Sequence, residues 1–147
     1  MSENEPIIRR LYQLAEDKDF GAFADLFGED GLFVDMSSGA SFRGRETGKP
    51  VALYAAAFPD MHRELGRFVE HGNTIVVELT LNGTHQGDLL LPHGRIAPTH
   101  RRIEVPCCDV FTIEDGKVAL FRCYNLASVL FAQLGVLDNL SAAVQSL

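Results

Sequence analysis

Residues 101–125 have the sequence RRIEVPCCDVFTIEDGKVALFRCYN, in which Asp115-Gly116 separates two stretches of alternating apolar and polar residues. An Asp-Gly pair between such stretches favours a tight β-hairpin turn, because both residues tolerate the positive φ that the turn requires. The sequence therefore predicts a strand over 99–113 and a returning strand over 117–125. On one face of the first strand Asp109 is the only acidic residue, and its companions are Ile103, Val105, Cys107, Phe111 and Ile113.

Outward from this hairpin, alternating apolar residues predict further strands over 32–36, 62–70 and 74–85. Apolar residues three and four positions apart predict helices over 6–17, 20–27, 51–58 and 126–134. Gly, Ser and Pro place loops at 37–48 and 92–98, and residues 136–147 repeat the helical spacing, which predicts a short C-terminal helix. Helices followed by consecutive strands predict one α+β domain over 1–147, with an antiparallel sheet whose concave side can hold a ligand if it is strongly curved.

Composition and charge limit the possible partners. The chain has 147 residues, of which 46% are hydrophobic and 22% charged, as in one globular domain. Its net charge of −7 repels phosphate backbones, so we expect no nucleic-acid partner. No stretch approaches the roughly 20 apolar residues that span a bilayer, so we expect no membrane partner. The acidic start is unlike a secretory signal, and three cysteines without a Cys-x-x-Cys pair fit reduced thiols, so we expect a cytoplasmic location.

Asp109 is the most informative polar residue. Apolar neighbours would favour the neutral carboxylic acid, which can donate a hydrogen bond to a developing oxyanion. The alternative is a structural Asp that is bonded to backbone amides or to Arg122. A two-residue turn places Arg122 opposite Asp109 and predicts a salt bridge, whereas a three-residue turn places Phe121 opposite and Cys123 diagonally. The sequence leaves both registers open.

Two further residues are candidates for chemistry. Asp35 ends a short strand, where a held backbone lets a carboxylate act as general base, although an Asp there can instead cap the turn by bonding Ser37 or Ser38. Tyr12 lies among the apolar residues of the first helix. Its hydroxyl needs a partner, which can be an oxyanion or an ordinary core acceptor.

Other site chemistries find less support in the sequence. His85 continues the apolar face of the strand over 74–85, so it either points inward toward a ligand or is a satisfied core histidine. The five histidines lack the spacing that sets two ligands on one face, so we expect no metal site. No Gly-rich loop joins a strand to a helix, so we expect no nucleotide and no cofactor. Cys123 lacks a positive neighbour apart from Arg122 and is better explained as a buried thiol than as a nucleophile.

Several segments together resemble the SnoaL-like polyketide cyclase family. They are Phe58-Pro59-Asp60, GTHQGDL at 83–89, RRIEV at 101–105, DVFTIEDGKV at 109–118 and AQLG at 132–135. The family belongs to the α+β fold shared with nuclear transport factor two and ketosteroid isomerase. The resemblance implies a strongly curved antiparallel sheet that forms, with the N-terminal helices, a cone-shaped apolar pocket, often in a homodimer.

The chain departs from the family pattern at one important place. Cyclases of this family that resemble the chain carry an acid/base Asp near the position of Cys123 and a His near that of Asp109. Limonene epoxide hydrolase, of the same fold, also carries an Asp near the position of Cys123. The usual cyclase pair is therefore missing. By contrast Tyr12, Asp35 and Asp109 resemble the Tyr, the general-base Asp and the oxyanion Asp of ketosteroid isomerase.

These observations lead to one hypothesis and two alternatives. The hypothesis is an enzyme that acts on an apolar carbonyl compound, with Asp35 as base and Tyr12 and neutral Asp109 as catalytic donors to the enolate oxygen. The residues expected to line the substrate pocket are His85, Tyr54, Phe58, Phe111, Cys123 and Asn125. The alternatives are a non-catalytic binding or scaffold protein of the same fold and a pocket used only for dimerisation or for another subunit.

Overall fold

The computed structural model describes residues 2–92 and 94–137. Its helices are α1 (Glu5–Glu16), α2 (Phe20–Asp25), α3 (Lys49–Ala57) and α4 (Ala127–Leu134), and a 3₁₀ helix spans Gly44–Gly48. Its strands are β1 (Phe27–Asp35), β2 (Ser41–Arg43), β3 (His62–His71), β4 (Thr74–Thr84), β5 (Leu89–Leu91), β6 (Gly94–Ile96), β7 (Arg102–Glu114) and β8 (Lys117–Asn125).

Six strands form one large sheet in the order β2-β1-β8-β7-β4-β3, and β5 pairs with β6 in a separate hairpin. Neighbouring strands of the large sheet are antiparallel except β1 and β8, which run parallel. Register shifts interrupt three of the pairings, and such bulges bend a sheet. The prediction of an α+β fold with a curved, mainly antiparallel sheet and N-terminal helices is confirmed.

The core lies between the helices and the concave face of the sheet. Pro6 lies in the first turn of α1, where its missing N–H has no partner within the helix and so costs nothing. The apolar face of α1 packs on the core, and its residues Ile8, Leu11 and Leu14 are buried. Alternate residues of β4 and β7 are buried along their whole length, as expected for strands with one face on a core. This alternation places Cys107 and Asp109 on the concave, helix-covered side.

The β7–β8 hairpin differs from both registers that the sequence left open. Asp115 and Gly116 have φ of 51° and 73°, and Glu114 pairs with Lys117, so the turn has two residues. A bulge then adds Ala119 to β8, because Ile113 pairs with Val118 but Thr112 pairs with Leu120. The extra residue moves Cys123 opposite Asp109 and Arg122 opposite Val110. Asp109 therefore has a thiol as its cross-strand neighbour and no salt bridge to Arg122.

Other differences lie mainly in the predicted loops. The segment 37–48 contains β2 and the 3₁₀ helix, and the segment 89–96 forms the β5–β6 hairpin. β1 begins at Phe27, where the sequence predicted a helix end, because the backbone N–H of Val118 bonds Leu26 O and Phe27 pairs with Val118 of β8. Most of the helix predicted over 136–147 lies outside the described residues. None of the described helices is long and apolar enough to cross a membrane.

One glycine is essential to the loop that follows β4. A β-carbon on Gly87 would lie 2.0 Å from the carbonyl oxygen of Ala56, and Gly87 N–H bonds Ala57 O at 3.1 Å. We expect Gly87→Ala to lower the free energy of unfolding by about 3 kcal/mol or more. The new β-carbon and the carbonyl oxygen of Ala56 are both fixed by the backbone, so neither can move away by a side-chain rotation. Urea titration measures the loss. Gly21→Ala is the matched control, since its β-carbon meets nothing closer than 3.9 Å, and an equal loss in both variants would contradict the prediction.

Candidate active site

Two adjoining cavities open on the concave side of the sheet. The outer cavity has a volume of about 660 Å³ and the inner one about 60 Å³. Four residues line both cavities: Asp35, Pro50, Tyr54 and Asn125. A ligand that fills the outer cavity can therefore extend one group to the inner one.

The inner cavity ends at a buried tyrosine–aspartate pair. Tyr12 Oη from α1 donates to Asp109 Oδ2 from β7 at 2.7 Å, and Cys107 Sγ donates to Asp109 Oδ1 at 3.3 Å. Tyr12 is 4% exposed and Asp109 is 3% exposed. The fold thus brings together two of the predicted catalytic residues, which are 97 positions apart.

Burial controls the ionisation of this pair. It raises the pKa of Asp109 above its ordinary value, and the hydrogen bonds from Tyr12 and Cys107 offset only part of that effect. Burial also raises the pKa of Tyr12, and the adjacent Asp109 adds to the shift. Both shifts favour the protonated form of the group concerned, and in the structure the Tyr12 hydroxyl directs its proton to Asp109 Oδ2.

Asp35 faces the same inner cavity from the end of β1. Its Oδ1 accepts from Ser37 N at 3.0 Å and from Asn125 Nδ2 at 3.3 Å, while its Oδ2 accepts from Ser38 Oγ at 3.0 Å. The turn-capping role considered from the sequence is therefore present. Because Asp35 also lines both cavities, the cap fixes the position of its carboxyl group beside any bound ligand.

Asn125 connects the two halves of the site. Its side-chain oxygen accepts from Ser37 Oγ at 2.8 Å, which orients the amide so that Nδ2 points to Asp35 and lies 3.8 Å from Cys123 Sγ. Tyr54 from α3 lines both the outer and the inner cavity, and burial raises the pKa of its hydroxyl. Tyr54, Cys123 and Asn125 thus occupy the lining positions that the sequence analysis predicted.

Three other residues predicted to contact substrate lie outside both linings. Phe58 packs against Tyr54 with ring centroids 6.1 Å apart, and Phe111 packs edge-on against Tyr12 at 5.9 Å. His85 is fully buried beside Phe58, and its Nδ1 accepts from Thr99 N at 3.0 Å. Burial lowers the pKa of His85. These side chains lie behind the lining residues: Phe58 and Phe111 pack against Tyr54 and Tyr12, and His85, one residue beyond β4, packs against Phe58.

Two polar residues of the inner cavity, Cys107 and Arg63, were not predicted as site residues from the sequence. Cys107 lies two positions before Asp109 on the same face of β7, a spacing that could have identified it. Arg63 reaches the inner cavity from β3, and its guanidinium lies 3.8 Å from Glu16 Oε1 on α1. No sequence signal distinguishes Arg63 from the surface arginines, since its place depends on the pairing of β3 with β4.

The model of the SnoaL-like domain family matches residues 8–121, which include most of α1, all of α2 and α3, and Asp35 and Asp109. The chain belongs to the SnoaL-like family. The predicted resemblance is thereby confirmed. A comparison with curated proteins gave no significant match.

Solved structures share the fold of this SnoaL-like domain at low sequence identity. A proposed hydroxylase, AclR from Streptomyces galilaeus, superposes with a TM-score of 0.78 at 19% identity over 94% of this chain and 99% of its own. IdmH from Streptomyces antibioticus, a proposed polyketide cyclase, gives 0.73 at 22% identity over 92% and 100%. A protein from Catenulispora acidiphila with a ketosteroid isomerase-like fold, in complex with trimethylamine, gives 0.73 at 20% identity over 88% and 92%.

Proposed function

We propose that this SnoaL-like domain is a cofactor-independent enzyme that removes a proton next to the carbonyl group of an apolar compound and holds the resulting enolate. The proposal rests mainly on one observation. The buried Tyr12–Asp109 pair, 2.7 Å apart, and the Asp35 carboxylate line the same inner cavity.

In the proposed reaction, the carbonyl oxygen of the substrate lies against Tyr12 Oη and the protonated Asp109. The Asp35 carboxylate accepts the α-proton, and the electron pair of the C–H bond moves to the carbonyl oxygen. Each donor to such an oxyanion is worth about 10² to 10³ in rate. Asp35 then returns its proton to another carbon, which is isomerisation, or to the alkoxide formed when the enolate carbon closes a ring, which is cyclisation.

The outer cavity supports an apolar substrate. Its walls include Leu53, Leu90, Leu130 and Phe131, and its one guanidinium, among the described residues, belongs to Arg95, which is paired with Asp88. A pocket of this volume with few polar groups suits a small molecule of drug-like size. A homodimer and a cytoplasmic location remain predictions.

A second candidate function is a non-catalytic binding or scaffold protein of the same fold. The capped state of Asp35 favours this alternative, because three hydrogen-bond donors already satisfy both carboxylate oxygens. A carboxylate held in this way can stabilise the turn after β1 without taking part in chemistry.

Binding of substituted phenols tests the proposal, because a phenolate mimics an enolate. We expect the protein to bind the ionised form selectively, as followed by phenolate absorbance across pH and across phenols of different acidity. Asp109→Asn should weaken phenolate binding by about tenfold or more, because an amide N–H is a weaker donor than a carboxylic acid and hydrogen bonds to charged groups contribute about 1.5–3 kcal/mol.

Asp35→Asn is the matched control for this experiment. It removes a negative charge near the bound phenolate, so the affinity should stay the same or increase. Binding that is indifferent both to phenol ionisation and to Asp109→Asn would contradict the proposed oxyanion site and would favour the non-catalytic alternative.

A further inference from the structure

The base of the inner cavity contains a compact cluster of two cysteines and one aspartate. Cys107 Sγ lies 3.8 Å from Cys123 Sγ and 3.3 Å from Asp109 Oδ1. One ligand atom from each of the three residues lies within 4.8 Å of the other two. We propose that Cys107, Asp109 and Cys123 form a binding site for one Zn²⁺ ion. The expectation of no metal site considered histidine spacing, whereas this cluster arises from the register of the β7–β8 hairpin.

The distances fit tetrahedral zinc coordination. With Zn–S bonds near 2.3 Å and Zn–O bonds near 2.1 Å, tetrahedral angles place two sulfurs about 3.8 Å apart and a sulfur about 3.6 Å from a carboxylate oxygen. The observed Sγ–Sγ separation of 3.8 Å matches this value, the Cys107 Sγ–Asp109 Oδ1 separation of 3.3 Å is slightly short, and Cys123 Sγ lies within 4.8 Å of an Asp109 oxygen. Three protein ligands leave a fourth position, which faces the inner cavity and can take water or a ligand.

The strand register favours a bridging ion over a disulfide bond. Cys107 pairs with Asn125, and Cys123 pairs with Asp109, so the two cysteines are diagonal neighbours on adjacent strands. Diagonal positions lie about 7–8 Å apart. Cysteines with Cα atoms more than about 7 Å apart cannot form a disulfide without backbone movement. A metal ion can bridge Cys107 and Cys123 at this separation, because the two sulfurs that bind one ion stay about 3.8 Å apart instead of the roughly 2.0 Å of a disulfide bond.

Neighbouring groups hold the three ligands in place. Tyr12 Oη donates to Asp109 Oδ2, which leaves Oδ1 directed toward the thiols, and Asn125 Nδ2 lies 3.8 Å from Cys123 Sγ. Hydrogen bonds of this kind orient metal ligands and affect metal affinity about 10- to 100-fold. Two thiolates and a carboxylate exceed the charge of Zn²⁺ by one, and Arg63, whose guanidinium also lies 3.8 Å from Glu16 Oε1, lines the same cavity.

Zinc binding and enolate chemistry exclude one another in this arrangement. Coordination requires both thiols and the carboxyl group of Asp109 in their deprotonated forms, so zinc and protons compete for the same atoms. Asp109 then has no proton to donate. The metal site stands on its own geometry, and it does not depend on whether the metal-free protein performs the proposed reaction.

Titration of the metal-free protein with Co²⁺ and then Zn²⁺ tests the site. We expect one ion per chain, thiolate-to-cobalt charge-transfer absorption, loss of that absorption when Zn²⁺ displaces Co²⁺, and protection of two of the three thiols from a thiol reagent. Cys123→Ser and Asp109→Asn should each weaken Zn²⁺ binding about 100-fold or more, and Tyr12→Phe about tenfold.

Cys108→Ser is the matched control, because Cys108 faces away from the cluster and pairs with Tyr124 and Glu78. It should leave affinity and the cobalt spectrum unchanged, and circular dichroism checks that each variant is folded. Affinity lost through Cys108→Ser, or retained in folded Cys123→Ser and Asp109→Asn, would overturn the proposal. So would a mass lower by two hydrogens with Cys107 and Cys123 joined in the freshly purified protein. Phenol binding to the metal-free protein reports separately on the proposed function.

Discussion

Asp35→Asn should slow deuterium exchange at the carbon next to a bound carbonyl group by about 10³-fold, which lies within the range for loss of a general base. The substrate for this measurement is an apolar cyclic ketone that displaces the phenols, at saturating concentration in deuterated water, and exchange is followed by NMR. The amide is similar in size and can still accept a hydrogen bond from Ser37 N–H, so the turn after β1 should persist. The thermal midpoint should therefore change little.

Ser38→Ala separates the catalytic role of Asp35 from its role in the turn. It removes the hydroxyl that donates to Asp35 Oδ2 but keeps the carboxylate in the cavity. Exchange should continue within about tenfold of the wild-type rate, because loss of one hydrogen bond changes the free energy of the carboxylate by about 1 kcal/mol. If Asp35→Asn exchanges at the wild-type rate, Asp35 is only a cap and the proposed mechanism is wrong.

Tyr12→Phe should slow the same exchange by about 10²-fold, as expected for loss of one oxyanion donor. Phenylalanine keeps the ring that packs edge-on against Phe111, so the loss is confined to the hydroxyl. Asp109 Oδ2 then lacks its donor, and we expect the free energy of unfolding to fall by about 1–3 kcal/mol. Deuterium-exchange kinetics of Tyr12→Phe measure the change in rate, and urea titration of the same variant measures the change in the free energy of unfolding.

Tyr124→Phe is the control for this deletion. It removes the same atom from a residue that is 39% exposed and lies outside both cavity linings, so rate and stability should stay near wild type. Combining Tyr12→Phe with Asp109→Asn should give less than the sum of the two single effects, because the residues are in direct contact. Full additivity would mean that the two groups do not act on one oxygen.

Local sequence features predicted most of the fold. Asp115-Gly116 predicted the hairpin because its turn conformation depends on those two residues, and alternation predicted β4 and β7 because one face of each strand is buried. The parallel pairing of β1 with β8 was not predicted, since it joins segments about ninety residues apart and no local pattern records their contact. β2, β5 and β6 have three residues each, which is too short for alternation to distinguish them from loop.

The candidate site was predictable where residue type was unusual for its position. Asp109 and Tyr12 were each polar residues within an apolar pattern, and the structure places them in contact. Arg63 gave no such signal, because a charged residue on an exposed strand is ordinary. His85 also continues an apolar pattern, but it lies one residue beyond β4, packs against Phe58, bonds Thr99 and is outside both cavity linings.

Ala119 has a consequence for transferring functional assignments between related chains. If the same residues followed the same two-residue turn without the bulge at Ala119, so that Ala119 paired with Thr112, Arg122 would lie opposite Asp109 and the buried acid would become half of an ion pair. Two homologues could therefore share every polar residue of the site and differ in chemistry through the presence or absence of one β-bulge. A reliable assignment within such a group has to compare hairpin register as well as residue identity.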